Sequence, residues 1–227
     1  FVAGLVRELE LVADDLTPQT IFFGGGTPSI LNLRQWETLL EAMRRLGLDG
    51  AEEWTVECNP ATVSADKAKL LREGGVTRIS MGVQSLDEDL LDRLGRVHSR
   101  AMVFKSYDIL RNAGFERVNL DLMFAIPSQT MPVWQDTLRE TIAMQPEHLS
   151  CYEVIYEQDT PLYEQLQAGE FDVQEELACD MFEELVRVAG AEGYHQYEVA
   201  NFGQHLAGGV FEIPDEACRH NINYWRG

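Results

Sequence analysis

Short apolar runs alternate with amphipathic helical stretches along this chain, and that order restricts the fold more than any other feature. Runs that read as strands lie at 20–23, 54–57, 78–83, 118–124 and 148–152, with a last extended segment at 194–199. Between them the spacing of apolar residues predicts helices over 33–46, 64–72, 87–94, 100–113, 132–144, 161–168 and 173–191. The punctuation agrees. Gly24-Gly25-Gly26 closes the first strand, Asn59-Pro60 the second and Ile126-Pro127 the fourth, while Ser64 suits a helix N-cap. Single helices between successive strands make parallel βαβ units. The fold class is therefore α/β, and five or six such units make a partial (β/α) barrel. An open, doubly wound sheet is the alternative. A closed eight-unit barrel takes about 250 residues, more than the 227 present. The stretch 201–217 reads as a loop bearing Gly and Pro.

In both architectures ligands gather at the carboxyl ends of the strands. The first strand ends in Gly24-Gly25-Gly26-Thr27-Pro28. Glycines let a backbone approach a ligand closely and expose its N–H donors, although a plain βα turn is also open. The run has neither a Walker lysine nor the Rossmann glycine spacing. Glu57 ends the second strand, as an acceptor for an ammonium or ribose hydroxyls or as a salt-bridged acid. Gln84 and Ser85 end the third. In the fourth, Asn119 and Asp121 alternate with leucines and share one face, as a site or as a structural network. These groups are expected to line one cavity suited to a zwitterionic, hydroxyl-rich small molecule.

Charge narrows the partners. There are 18 basic and 38 acidic residues, a formal net charge of −20. So acidic a surface repels phosphate backbones and anionic lipid, which argues against nucleic acid and membrane surfaces. No apolar run reaches the length of about 18 residues that spans a bilayer. The first residues carry no basic start or cleavage site of a secretion signal. The four cysteines, Cys58, Cys151, Cys179 and Cys218, are separated by 93, 28 and 39 positions. That spacing suits reduced cytoplasmic thiols, and neither a zinc ribbon nor a local iron–sulfur loop. The chain begins at Phe1 rather than Met and stops soon after Tyr224-Trp225, which reads as a fragment cut at both ends.

Four blocks, in this order, carry a family resemblance: FFGGGTPS, VECNP, ISMGVQSLDEDLLDRLGRVHS and NLDLMFAIPSQT. Together they strongly resemble the radical S-adenosylmethionine (SAM) proteins of the oxygen-independent coproporphyrinogen III oxidase family, and the match runs over nearly the whole chain. The resemblance implies a partial (β/α) barrel truncated at both ends. It also implies a [4Fe-4S] cluster on a CxxxCxxC loop that would lie upstream of Phe1, so this chain is expected not to assemble the cluster. Carried over by position, Gly25, Gly26, Thr27 and Glu57 would bind SAM. Gln84, Arg96 and Asp121 match positions that hold a second SAM in the oxidase; Arg96 lies beyond a helix and needs the chain to fold back.

Near the end, HNINYW at 220–225 is similar to the HNxxYW motif of the haem-chaperone branch of that family. The resemblance implies a haem motif of His220, Asn221, Tyr224 and Trp225. His220 would be the axial ligand to haem iron, Asn221 would orient its ring, and the two aromatic faces would cover the macrocycle. A structural histidine, or a string that docks a neighbouring domain, is the alternative. The expected domains are a partial barrel over 1–200 and, over 201–227, a linker with the start of a C-terminal region. At a cut end the motif is expected to be poorly ordered or misplaced. The function implied is delivery of haem to apo-haemoproteins by a cytoplasmic protein, with a homodimer compatible. The alternative is oxidative decarboxylation of coproporphyrinogen III.

Overall fold

The alternation read from the sequence is present, with its ends moved by a residue or two. The elements run α1 (Val2–Val12), β1 (Thr20–Phe23), α2 (Leu33–Arg45), β2 (Glu53–Cys58), α3 (Ala65–Glu73), β3 (Arg78–Gln84) and α4 (Glu88–Arg93). They continue α5 (Arg100–Asn112), β4 (Arg117–Phe124), α6 (Met131–Ala143), β5 (His148–Glu153), α7 (Pro161–Gln167) and α8 (Glu175–Ala191). The chain closes with β6 (Tyr194–Gln196), β7 (Asn201–Gln204) and α9 (Arg219–Arg226). The computed structural model describes residues 1–205 and 213–226; the stretch 206–212, part of the expected linker, and Gly227 lie outside the described residues.

The chain divides into two compact units. The first comprises Phe1–Met81, Phe104–Val118 and Cys218–Gly227. In it β1, β2 and the start of β3 are parallel, with Thr20 opposite Glu53, Phe22 opposite Thr55 and Glu57 opposite Ser80. Side chains alternate across a strand, so each strand sorts its residues by face. Ile21, Phe23, Trp54, Val56, Ile79 and Met81 turn to one face. Phe23 stacks on Trp36 of α2 at 6.0 Å and meets Trp54 edge-on at 5.4 Å. Trp36 and Trp54 are fully buried, and Leu39, Met43 and Leu71 are buried too. The other face carries Thr20, Phe22, Glu53, Thr55, Glu57, Arg78 and Ser80, polar but for one ring. Two of this unit's helices begin on side-chain caps, Asn32 for α2 and, as expected, Ser64 for α3.

The second unit comprises Gly82–Val103 and Asn119–Ala217. Here β4 and β5 are parallel, with Asn119 opposite His148 and Asp121 opposite Ser150. Trp134 of α6 is fully buried and its indole N–H donates to the Met181 carbonyl of α8 at 2.9 Å. The region after residue 200 departs from the expected loop. Asn201–Gln204 is a strand, antiparallel to β5 and to β6. Its Asn-Phe-Gly-Gln sequence has a single apolar residue, too little for alternation to reveal it. Gly203 is required by closeness, because a Cβ there would stand 3.0 Å from Pro214 Cβ and 3.1 Å from the Ala217 nitrogen. The extended segment stops at Gln196 because the Tyr197 N–H turns to the Asn201 carbonyl at 3.1 Å and closes the hairpin.

HNINYW lies in α9, whose first residues are bound to β2. Since Trp36 fills the centre of the first unit, Trp36→Ala should cost about 3–5 kcal/mol, read as a lowered midpoint in urea.

Candidate functional site

At the carboxyl end of β1 the three glycines each answer a requirement. Gly25 and Gly26 have φ of 75° and 72°, the left-handed region, and Thr27 follows at 66°. Gly24 is demanded by space. A Cβ there would lie 2.6 Å from Phe22 Cε1 and 2.9 Å from Glu57 Oε1. The turn therefore closes onto the end of β2, where the Gly25 N–H donates to Glu57 Oε2 at 3.0 Å. Added Cβ atoms on Gly25 or Gly26 would meet nothing within 4 Å, so this backbone faces open space.

A second layer fastens the loop. The buried Ser29 hydroxyl hydrogen bonds to Thr62 Oγ1 at 2.6 Å and accepts from the Asn59 N–H at 2.9 Å. Lys67 donates to the carbonyls of Ser29, 2.5 Å, and Thr62, 3.0 Å. Sequence reasoning missed these residues, although Ser29 and Asn59 stand in the same blocks as the glycines and Glu57. Burial pushes the Cys58 thiol up to about 12, with the Lys67 charge opposing, so this thiol stays protonated and inert.

In the second unit Gln84 ends β3 at φ 66°. The chain turns there, caps α4 through Asp87 and folds back. His98 anchors the return, fully buried with Nε2 3.0 Å from the Val83 carbonyl. That return brings Arg96 to Asp121. Partial burial lowers the Arg96 pKa and the Asp121 charge opposes it. Asp121 also accepts from Asn119 Nδ2 at 2.6 Å.

Asn119 belongs to a network that the sequence only half showed. Its Oδ1 accepts from His148 Nδ1 at 2.6 Å, and His148 Nε2 meets the Tyr197 hydroxyl at 2.7 Å. The Ser150 hydroxyl reaches Asn201 Oδ1 at 2.6 Å, and the Asn201 amide donates to Glu198. Burial pushes the Tyr152 phenol up to about 12, with Asp121 adding to it. The missed signal was β5, where His148 and Ser150 alternate with apolar residues as Asn119 and Asp121 do in β4. The sequence-assigned SAM residues thus fall into two sets: Gly25, Gly26, Thr27 and Glu57 in the first unit, and Gln84, Arg96 and Asp121 in the second.

The haem-motif residues sit at the other end of the first unit's strands. The His220 ring stacks on Phe22 with centroids 5.0 Å apart, and Nδ1 lies 3.2 Å from Thr20 Oγ1. With Nδ1 paired to the Thr20 hydroxyl, Nε2 has no hydrogen-bond partner among the described residues. The orienting contact is Thr20, while the Asn221 amide side chain makes no hydrogen bond among the described residues. Tyr224 and Trp225 are exposed, 74% and 70%, and pack edge to face at 5.5 Å.

A [4Fe-4S] cluster does not fit the described residues. No group of three or more Cys, His, Asp or Glu side chains among them stands ready to hold a metal. Cys58, Cys151 and Cys218 are buried, and burial raises each thiol pKa. SAM fits better at the glycine turn, with its open backbone and half-buried carboxylate.

The profile of the Radical SAM superfamily matches residues 3–141, and the chain belongs to that superfamily. Among curated proteins it is 38% identical to a heme chaperone HemW of Bacillus subtilis over 210 residues, 91% of this chain and 53% of that protein. It is 37% identical to a heme chaperone HemW of Escherichia coli, over 100% of this chain and 58% of that one. It is also 35% identical to the mitochondrial radical S-adenosyl methionine domain-containing protein 1 of Danio rerio, over 92% of this chain and 45% of that one. The chain thus spans about half the length of the curated relatives it matches. In structure it is similar to the coproporphyrinogen III oxidase HemN of Escherichia coli, with a TM-score of 0.79 at 24% identity over 90% of this chain and 48% of that one. That likeness shows the fold, an α/β fold of parallel strands joined by helices. No helix of the described residues is long and apolar enough to cross a membrane.

The Gly24 contact gives a direct test. Gly24→Ala should push Glu57 off the Gly25 N–H and weaken SAM binding by the natural full-length protein by about tenfold, some 1.4 kcal/mol. Isothermal titration with SAM checks it, and unchanged affinity refutes the role given to this turn.

Proposed function

We propose that this chain is the SAM-binding part of a haem chaperone, which takes haem on α9 and delivers it to apo-haemoproteins in the cytoplasm. The observation that carries the reading is the separation within the first unit. The glycine turn and Glu57 occupy the carboxyl ends of β1 and β2, and His220 stands against Thr20 at the amino end of β1. That separation supports reading a macrocycle on His220 as cargo rather than as the reactant of the SAM end. The relatives named heme chaperone, at 36–38% identity over most of the chain, support the same reading.

In this proposal Gly25, Gly26 and Thr27 offer backbone groups to SAM, and Glu57 accepts from its ammonium or ribose hydroxyls. Gln84, Arg96 and Asp121 supply an amide, a cation and a carboxylate for a second SAM. SAM, when bound at a reduced cluster, supplies a sulfonium that can be cleaved to a radical. The described residues do not fit that cluster, and the reading needs no radical step. For haem, His220 Nε2 is the iron donor, its tautomer set by the bond from Nδ1 to Thr20, as outer partners commonly set metal-ligating histidines. Tyr224 and Trp225 offer exposed rings to the macrocycle.

The test uses the natural full-length protein titrated with haem. His220→Ala should shift the Soret band and weaken binding by about 10-fold or more. A wild-type spectrum and affinity in that variant would remove His220 from the site. Turnover of coproporphyrinogen III by the wild-type protein would overturn the chaperone reading in favour of the oxidase.

A further inference from the structure

Nothing in α9 itself explains why the His220 ring stands where it does. None of the eight side chains of this helix is buried. Its start is held by the carboxylate of Glu53, the first residue of β2, 1% exposed, and at the surface by the ion pair of the Arg219 guanidinium with Glu52. Glu53 Oε2 accepts the Arg219 N–H at 3.2 Å and Oε1 accepts the His220 N–H at 3.1 Å. The Cys218 thiol reaches the same Oε1 at 3.4 Å. The Arg78 guanidinium, 2% exposed at the start of β3, lies 3.9 Å from Oε2. Cys218 takes the next free donor, the Asn221 N–H, on its sulfur. The unpaired N–H groups that open a helix are thus met by one buried acid and one thiol.

The placement follows from strand geometry. Glu53 is opposite Thr20 in the parallel register, and Thr20 and Phe22 share a face of β1. A helix start tied to Glu53 brings the ring of its second residue onto Phe22 and Nδ1 to Thr20. The backbone N–H bound by Glu53 Oε1 belongs to His220 itself, so the acid acts one residue's width from the ring.

We infer that Glu53 is the positioning residue of the haem motif: with Arg78 behind it, it sets the place and orientation of His220. This rests on the haem reading for its functional consequence and on the geometry alone for the positioning. The experiment separates the two. Histidine-labelled full-length protein is prepared as wild type, Glu53→Gln, and Glu53→Met with Arg78→Met, the last exchanging the buried pair for apolar groups that such sites often tolerate. His220→Ala assigns the His220 ring resonances, which the stacked Phe22 ring displaces.

In both Glu53 variants the His220 ring resonances should lose that displacement. Haem binding should weaken by about 10–100-fold, the range for outer partners of a metal-ligating histidine, with the Soret change of His220→Ala. Adding His220→Ala to Glu53→Gln should weaken binding no further, because Glu53 acts only through that ring. Unmoved His220 resonances in a folded variant overturn the proposal, as do losses from the two substitutions that multiply. If the resonances move while every variant, His220→Ala included, binds haem like wild type, the positioning stands and the haem assignment falls.

Discussion

The alternation of side chains along β1 and β2 is the constraint on which the first unit depends. In β1, Phe23 turns to the helices and locks against Trp36 and Trp54. Its neighbour Phe22 turns the other way and stacks on His220, while its Cε1 occupies the space a Cβ on Gly24 would need. One ring therefore contacts His220 and excludes a side chain from the glycine turn. In β2, Glu53, Thr55 and Glu57 follow at intervals of two and share a face. The first acid holds α9 at the amino end and the last holds the glycine turn at the carboxyl end. A one-residue slip of β2 would turn both acids toward the apolar layer, so register here is enforced by the cost of burying unpaired charge.

The second unit meets the same demand with different chemistry. Its polar face, Asn119 and Asp121 of β4 with His148 and Ser150 of β5, is hydrogen-bonded among its own members and outward to Tyr197 and Asn201. His148 is fixed at both ring nitrogens, by Asn119 and Tyr197. Such a layer costs little to bury because its donors and acceptors are matched. It leaves Asp121 as the carboxylate of the four residues, with Arg96 brought toward it by the return through His98.

Much of this was legible because parallel strands are marked by strong local signals. β1 begins and ends where the apolar run does, and β2 is longer by one residue at each end than its apolar stretch, since Glu53 and Cys58 belong to the ladder without looking apolar. The carboxyl-end groups Gly25, Glu57, Gln84 and Asp121 were visible because the fold class says where to look. Glu53 was not, since at a strand's amino end an acid reads as a surface residue. Only its partners, 165 to 167 positions away, make it a buried anchor. β7 was missed for a related reason: its pairing with β5 and β6 is non-local, and its own residues carry little strand preference.

That distance also bears on how α9 forms. A short helix with no buried side chain gains little from its own sequence, because helix nucleation is unfavourable and eight residues propagate few bonds. A pre-formed acceptor changes this. The carboxylate of Glu53 is already fixed by β2 and by Arg78, so binding the Arg219 and His220 N–H groups orders the first turn without first ordering the acceptor. The helix direction then follows from its first turn, and Tyr224 and Trp225 are carried outward as exposed rings. The parallel strands thus fix the tail motif at one end, and a carboxylate at the other end of β2 fixes the glycine turn.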